Sequence, residues 1–322
     1  MNPIQELQAQ LEQALGTLEV PASPAELYDP IKYTLSNGGK RMRPLLVLIG
    51  CKIFNDDVSE AINPALGVEM FHNFTLLHDD IMDDAPLRRG KPSVHKKWDS
   101  NIAILSGDAM MVKTYQSFIE TRSEVLRPML RVFNRTAVEV CEGQQFDMNF
   151  ELRDDVSIAE YLDMIRLKTA VLLAASLQIG GMIGGASKEQ SELLYDFGLN
   201  AGIAFQLQDD ILDVYGESAK VGKQKGGDII CNKKTFLLLK AQELATGSLA
   251  KELAEQLGNS SEQEKVAAVT QIYDELKIRQ LAEARMWEFY NKGMASLEKV
   301  EGNKNWIEIL RQFSHNLMHR ES

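Results

Sequence analysis

Hydrophobic positions along the chain recur mainly every three to four residues. Ile4, Leu7, Leu11, Leu15 and Leu18 keep that spacing and predict an amphipathic helix at the start. The apolar run from Leu45 to Phe54 predicts another. The longest apolar run, Ala170 to Ala186, is short for a membrane span and interrupted by glycines, so it is expected to be a buried helix. Ser157-x-x-Glu160, Ser187-x-x-Gln190 and Ser261-x-x-Glu264 predict capping boxes that open helices. Breaks fall at Pro21, Pro24, Gly38-Gly39, Asp56-Asp57, Pro86, Gly90, Gly216, Gly226-Gly227 and Gly302, with segments of helical length between them. Sustained strand alternation is scarce, and no linker, low-complexity tract or short-period repeat is visible. The pattern predicts an all-α protein, with residues 1–322 as a single domain of many helices.

Composition narrows this picture. An apolar fraction of 44% supports a sizeable core, and a net charge of −11 argues against a general binder of nucleic acid or anionic membranes. An anionic substrate must then be held by local basic clusters or by bound metal. Cys51, Cys141 and Cys231 are far apart and form no CxxC pair, which predicts reduced, mostly buried thiols in a cytoplasmic protein. The N-terminal stretch lacks the basic and apolar regions of a secretory signal, so none is expected.

The stretch LLHDDIMDDAPLRRG, residues 76–90, crowds four carboxylates into six positions. Its DDIMD at 79–83 is echoed by DDILD at 209–213. On a helix Asp79 and Asp83 share a face, with His72 on nearly the same stripe; Gln206, Asp209 and Asp213 do likewise. The surrounding residues are apolar, and half-buried carboxylates need partners. Two readings of a single motif are open: salt bridges to Arg88, Arg89 or lysines, or hard divalent cations completed by water and phosphate oxygens. Two such motifs favour cations, and magnesium suits a site with few fixed ligands.

Basic groups flank these motifs. They are GGKRMRP at 38–44, Arg88-Arg89-Gly90, Lys168-Thr169, the stretch from Lys220 to Asp228, and Lys233-Lys234. Glycines allow close approach of backbone to an anion, and arginine grips phosphate oxygens in pairs. The Walker pattern is absent. Separate basic groups beside acidic ones suggest two diphosphates with magnesium.

With GGKRMRP, LLHDDIMDDAPLRRGKP, SGDAM (106–110), GQQFD (143–147), LKTA (167–170), FQLQDDILD (205–213) and KGGD (225–228) in this order, the chain resembles the trans-isoprenyl diphosphate synthases, or polyprenyl synthetases. The resemblance runs from about residue 25 to the C-terminus. It implies the isoprenoid synthase fold, a single large helical bundle around a deep central cavity, usually as a homodimer. It implies that Asp79, Asp83 and Asp209 hold three Mg2+ ions on an allylic diphosphate, supported by Asp80, Asp210 and Asp213. Arg88, Lys168, Lys223 and Lys233 would grip that diphosphate. Lys40, Arg43, His72 and Arg89 would hold isopentenyl diphosphate. Thr169 and Gln206 would line the place where positive charge develops. The implied reaction is ionisation of the allylic ester, attack by isopentenyl diphosphate and loss of a proton.

Product length follows, in this family, from the residue five positions before the first motif. Here that is Phe74, followed by the smaller Thr75, which implies a closed floor and geranylgeranyl or farnesyl diphosphate rather than a longer polyprenyl chain. Rival readings fit less well. A terpene cyclase typically carries an Asn/Asp, Ser/Thr, Glu pattern in place of DDILD. A non-catalytic synthase subunit usually loses acids from one motif. An HD phosphohydrolase leaves DDILD unexplained, and Glu69-x-x-His72 is only half of a di-iron site.

Overall fold

The structure, a computed structural model, describes residues 2–216 and 226–319. Among these, helices dominate and the strands amount to one two-residue pair, as the hydrophobic periodicity predicts. The chain divides into two compact units. One comprises Met1–Asn134, Ala175–Leu194 and Glu301–Trp306; the other comprises Arg135–Ala174, Tyr195–Val300 and Ile307–Ser322.

The first unit opens with α1 (Pro3–Gly16), which buries Leu7 and Leu11. Asn2 and Gln5 close its N-terminus as a capping box, a pair that a search for Ser or Thr passes over. Next come α2 (Ala25–Ser36), α3 (Met42–Lys52), α4 (Ser59–Met82), the short α5 (Val94–Lys97) and α6 (Ser100–Ile119). The long α4 packs along α6 and against α3. Helix α3 also meets α9 (Val171–Gly184) backbone to backbone. A Cβ on Gly50 would lie 2.5 Å from the Leu177 carbonyl oxygen, and one on Gly180 only 2.0 Å from that of Val47. Only glycine permits such an approach, which explains the glycines inside the apolar run. The stretch Ile158–Gly184 is long and apolar enough to cross a membrane, and 78% of its most apolar window is buried in the protein.

The second unit takes in α7 (Ser123–Glu151) from Arg135 onward, then α8 (Ile158–Ile165), a π-helical turn (Arg166–Ala170) and most of α10 (Lys188–Tyr215). It continues with α11 (Gly227–Ile230), α12 (Phe236–Leu244), α13 (Gly247–Leu257), α14 (Glu262–Glu275), α15 (Ile278–Leu297) and α16 (Lys304–Met318, from Ile307 onward in this unit).

The three expected capping boxes fare differently. Ser157 and Glu160 form a complete one. Ser187 accepts from the Gln190 N–H, but the Gln190 side chain accepts from the Glu301 N–H instead of reaching back. Ser261 makes no capping bond; its N–H donates to Asn259 Oδ1, so a neighbouring turn takes the group the cap would have used.

Candidate active site

In the first unit, α4 carries His72, Phe74, Thr75, Asp79 and Asp80 and ends at Met82. Asp83 is its C-cap, still bonded through N–H to the Asp79 carbonyl at 2.9 Å. Asp84 then turns left-handed (φ 46°), its N–H reaching Ile81 O and that of Ala85 reaching Asp80 O. This is a Schellman ending with aspartate in place of the usual glycine. Asp84 is thereby a turn residue, and its carboxylate pairs outward with Lys96 at 2.5 Å. Three carboxylates of the crowded stretch remain.

Just beyond lies a tight hairpin, β1 (Leu87–Arg88) paired antiparallel with β2 (Lys91–Pro92). Arg89 and Gly90 form its two-residue turn, both with positive φ, as a type I′ connection requires. The hairpin aims Arg88 back at the motif: Nε donates to Asp80 Oδ1 at 2.9 Å and Nη2 to Asp79 Oδ2 at 3.3 Å. Asp80 is buried, and desolvation raises its pKa despite the guanidinium. Arg88, expected to grip a diphosphate, is paired here with Asp79 and Asp80.

Arg43, on α3, donates from Nη1 to His72 Nε2 at 3.1 Å. Burial, then the surrounding Arg43 and Arg89, push the His72 imidazole well below its ordinary pKa, so it is neutral and accepts. Burial lowers Arg43 to about 10. Its Nε is a buried donor with no hydrogen-bond partner. Arg89 donates to the Gly38 carbonyl, and Gly39 leaves room for its guanidinium: a Cβ there would sit 2.7 Å from Cζ. Lys40 is exposed at the end of the same loop. Arg43, His72, Arg88 and Arg89 thus lie within one another's fields. Arg41 does not join them in exposure. It is buried with Glu69 at 2.6 Å, and Glu69 also accepts from Asn73, so Glu69 is a structural acid.

Phe74 is half-buried, its ring 5.6 Å from Phe71 and 4.7 Å from His78, against the apolar cluster that includes Met70, Leu77, Ala103 and Met110. Thr75 Oγ1 donates to the His72 carbonyl.

In the second unit, α10 carries Gln206, Asp209, Asp210 and Asp213. Asp209 is exposed, whereas Asp210 is buried and accepts from the Tyr161 hydroxyl and from Gln206 Nε2 at 3.1 Å. Burial, with Asp228 nearby, pushes Asp210 up to about 8. Asp213 Oδ2 accepts from the Asp228 N–H at 3.0 Å, which ties the KGGD segment to the motif helix. Lys233 is exposed beyond it. Lys223 lies outside the described residues.

Lys168 and Thr169 sit on the π turn, a feature that often re-aims side chains at functional sites. Two glycines pack onto it. A Cβ on Gly143 of α7 would lie 2.3 Å from the Lys168 backbone nitrogen, and one on Gly202 of α10 2.8 Å from Ala170 Cα. Asp147, one helical turn after Gly143, receives Lys168 Nζ at 2.7 Å. Thr169 Oγ1 donates to Gln206 Oε1 at 3.3 Å. Sequence reasoning assigned no role to Asp147, Tyr161 or Asp228. The four-residue spacing within GQQFD was the one available signal, since it puts Gly143 and Asp147 on one face.

The donor set suits magnesium, being hard carboxylate oxygen throughout. Among the described residues no three His, Cys, Asp or Glu side chains gather closely enough to hold an ion alone. Water and phosphate oxygens would have to complete the shell.

Comparison with known proteins agrees with this chemistry. A family model described as polyprenyl synthetase matches residues 24–276. The chain is 38% identical over 245 residues to the geranylgeranyl diphosphate synthase of Methanosarcina mazei, covering 76% of each. It is 39% identical over 238 residues to the geranylfarnesyl diphosphate synthase of Natronomonas pharaonis, covering 68% of this chain and 70% of the other. A crystal structure of a geranylgeranyl pyrophosphate synthase superposes with a TM-score of 0.94 at 43% identity, covering all of both chains.

Proposed function

The chain belongs to the polyprenyl synthetase family, with its all-helical isoprenoid synthase fold, and is a short-chain trans-prenyltransferase; from that premise we propose how its residues act and what it makes. The catalytic domain spans residues 1–322, and each of its two units carries one aspartate motif with basic groups beside it. Asp79, Asp83 and Asp209 would supply carboxylates for three magnesium ions with the allylic diphosphate. When bound, magnesium would neutralise the leaving diphosphate.

The observation that supports this is the same in both motifs: the second aspartate is buried and pinned, Asp80 by Arg88 and Asp210 by Tyr161, while Asp83 and Asp209 are exposed. Lys168, steadied by Asp147, together with Arg88, Lys223 and Lys233, binds the allylic diphosphate. Arg43, with Arg89, Lys40 and neutral His72, binds isopentenyl diphosphate. Neutrality matters, because a charged His72 would compete with Arg43 for the same space. The oxygens of Thr169 and Gln206 face the developing allylic cation and favour it electrostatically. Apolar walls exclude water, which would otherwise capture the cation. The double bond of isopentenyl diphosphate attacks, and the proton passes to the released diphosphate. No side-chain nucleophile is needed.

Phe74 as the floor supports geranylgeranyl diphosphate as the main product, with farnesyl as the shorter alternative. Cytoplasmic placement rests on the free thiols, of which only Cys51 is buried; Cys141 and Cys231 are exposed, against the expectation of mostly buried thiols. A homodimer is supported by a stripe on α6, where Leu105, Val112 and Ile119 recur every seven residues and are each close to 60% exposed. Facing apolar rows of this kind are what a second copy covers.

The test is incubation of the purified chain with labelled isopentenyl diphosphate and dimethylallyl, geranyl or farnesyl diphosphate, with magnesium and with a chelator. Labelled geranylgeranyl diphosphate that disappears with the chelator is expected. No labelled product from any primer would overturn the reading.

A further inference from the structure

At the end of α16, far along the chain from either aspartate motif, His315 and the residue just after the helix, His319, stand one turn apart, both exposed, with the His319 N–H donating to the His315 carbonyl. Residues four apart share a helix face. Here the two imidazoles share a hydrogen bond, Nε2 to Nε2 at 3.0 Å with ring centroids 4.2 Å apart, and an ion bound between them would take the place of the shared proton as the donor ring shifts its hydrogen to Nδ1. They rest on an aromatic wall from α15. Trp287 lies 5.2 Å from His319 and 6.4 Å from His315, and Tyr290 lies 6.3 Å from His315. The wall limits the rotamers of both rings, so the pair is assembled before any ligand arrives.

We propose that His315 and His319 form a binding site for a borderline divalent transition-metal ion, Cu2+ or Ni2+ before Zn2+, with water in the remaining positions. The first argument is geometric. With metal–nitrogen bonds of about 2.05 Å, two nitrogens 3.0 Å apart subtend an angle of about 94° at the ion. That is close to the right angle between neighbouring ligands in the tetragonal geometry of Cu2+ and Ni2+. Tetrahedral Zn2+ would need the nitrogens about 3.3 Å apart, a small opening of the pair.

The second argument is chemical. Neutral imidazole nitrogen selects Cu2+, Ni2+ and Zn2+, whereas magnesium prefers oxygen. The site is therefore chemically separate from the aspartate motifs and holds whether or not their assignment does. Imidazole adds no negative charge, so the ion keeps open positions that a water or a further donor can take.

Trp287 supplies a built-in reporter, because a paramagnetic Cu2+ held on these rings would lie beside its indole and quench it. The full chain is titrated with Cu2+ in excess magnesium, followed by tryptophan emission, and with Ni2+ by calorimetry, since Ni2+ spares the exposed thiols from oxidation. One saturable equivalent of each ion is expected. Loss of a merely supporting group at a metal site weakens binding about 10–100-fold. His315→Ala and His319→Ala should each lose at least that much, and His319→Gln should match His319→Ala. Both side chains are exposed, so the ion-free unfolding temperature should not move. Trp287→Phe should keep Ni2+ binding and lose most of the quenching. Absence of binding by the native chain, equal binding by the histidine variants, or quenching that persists in Trp287→Phe would each overturn the proposal.

Discussion

Asp80 and Asp210 hold the second position of their motifs, and both lie inside while Asp209 and Asp83 face out. In each doubled aspartate the second carboxylate is held inside by a partner from another element. The inner acids are not interchangeable in their support. Arg88 holds Asp80 as an ion pair, while Tyr161 and Gln206 hold Asp210 by neutral hydrogen bonds, and this difference accompanies the larger upward shift of Asp210. Phe74 allows a direct test at this scale. Truncation of a fully buried phenylalanine costs about 3–5 kcal/mol, and less where the ring is half-exposed. Phe74→Ala should therefore fold, with a lower unfolding temperature, and should shift the product toward longer chains on reversed-phase chromatography. An unchanged product distribution would remove Phe74 from the role of floor.

At the scale of elements, the π turn between α8 and α9 is held by backbone contacts that leave no space for a side chain. Gly→Ala inside a helix ordinarily stabilises by about 0.5–1 kcal/mol. At Gly16, with nothing within 4 Å, that gain should appear as a higher unfolding temperature. At Gly143 the new methyl meets main-chain atoms that cannot rotate aside, and overpacking of about 1–3 kcal/mol wins. Gly143→Ala should lower the unfolding temperature and raise the KM for the allylic substrate, as Lys168 is displaced. Calorimetry and steady-state kinetics on the two variants check the contrast.

These contacts also show what the sequence could and could not convey. Helical periodicity revealed α1, α3 and the motif helices, because burial imposes its own spacing on apolar residues. Residues within one helix turn, such as Asp79 and Asp83, were likewise legible. Partnerships across long separations were not: Arg41 with Glu69, Lys168 with Asp147, Tyr161 with Asp210. Charge or polarity alone does not name a partner dozens of residues away. Nor did composition distinguish Ser157, which caps, from Ser261, whose local turn competes for the same backbone group.

The whole molecule must collect two anions while carrying a net charge of −11. Its exposed α6 stripe gives the clearest test at this scale. Val112→Asp places a charge in the middle of that row, and sedimentation should then report a monomer where the native chain gives a dimer. A native chain that sediments as a monomer would sink the dimer assignment.

The Arg88 clamp bears on how such a molecule fills. With one guanidinium bridging Asp79 and Asp80, part of the motif's charge is already offset and the resting motif attracts bare ions less. An ion entering alone must break that pairing and leave the arginine stranded. A pyrophosphate group that arrives with its counter-ions attached offers Arg88 new oxygens as it gives up the old ones. Loading then becomes an exchange of escorts, and the anion brings its own passport through a negatively charged border.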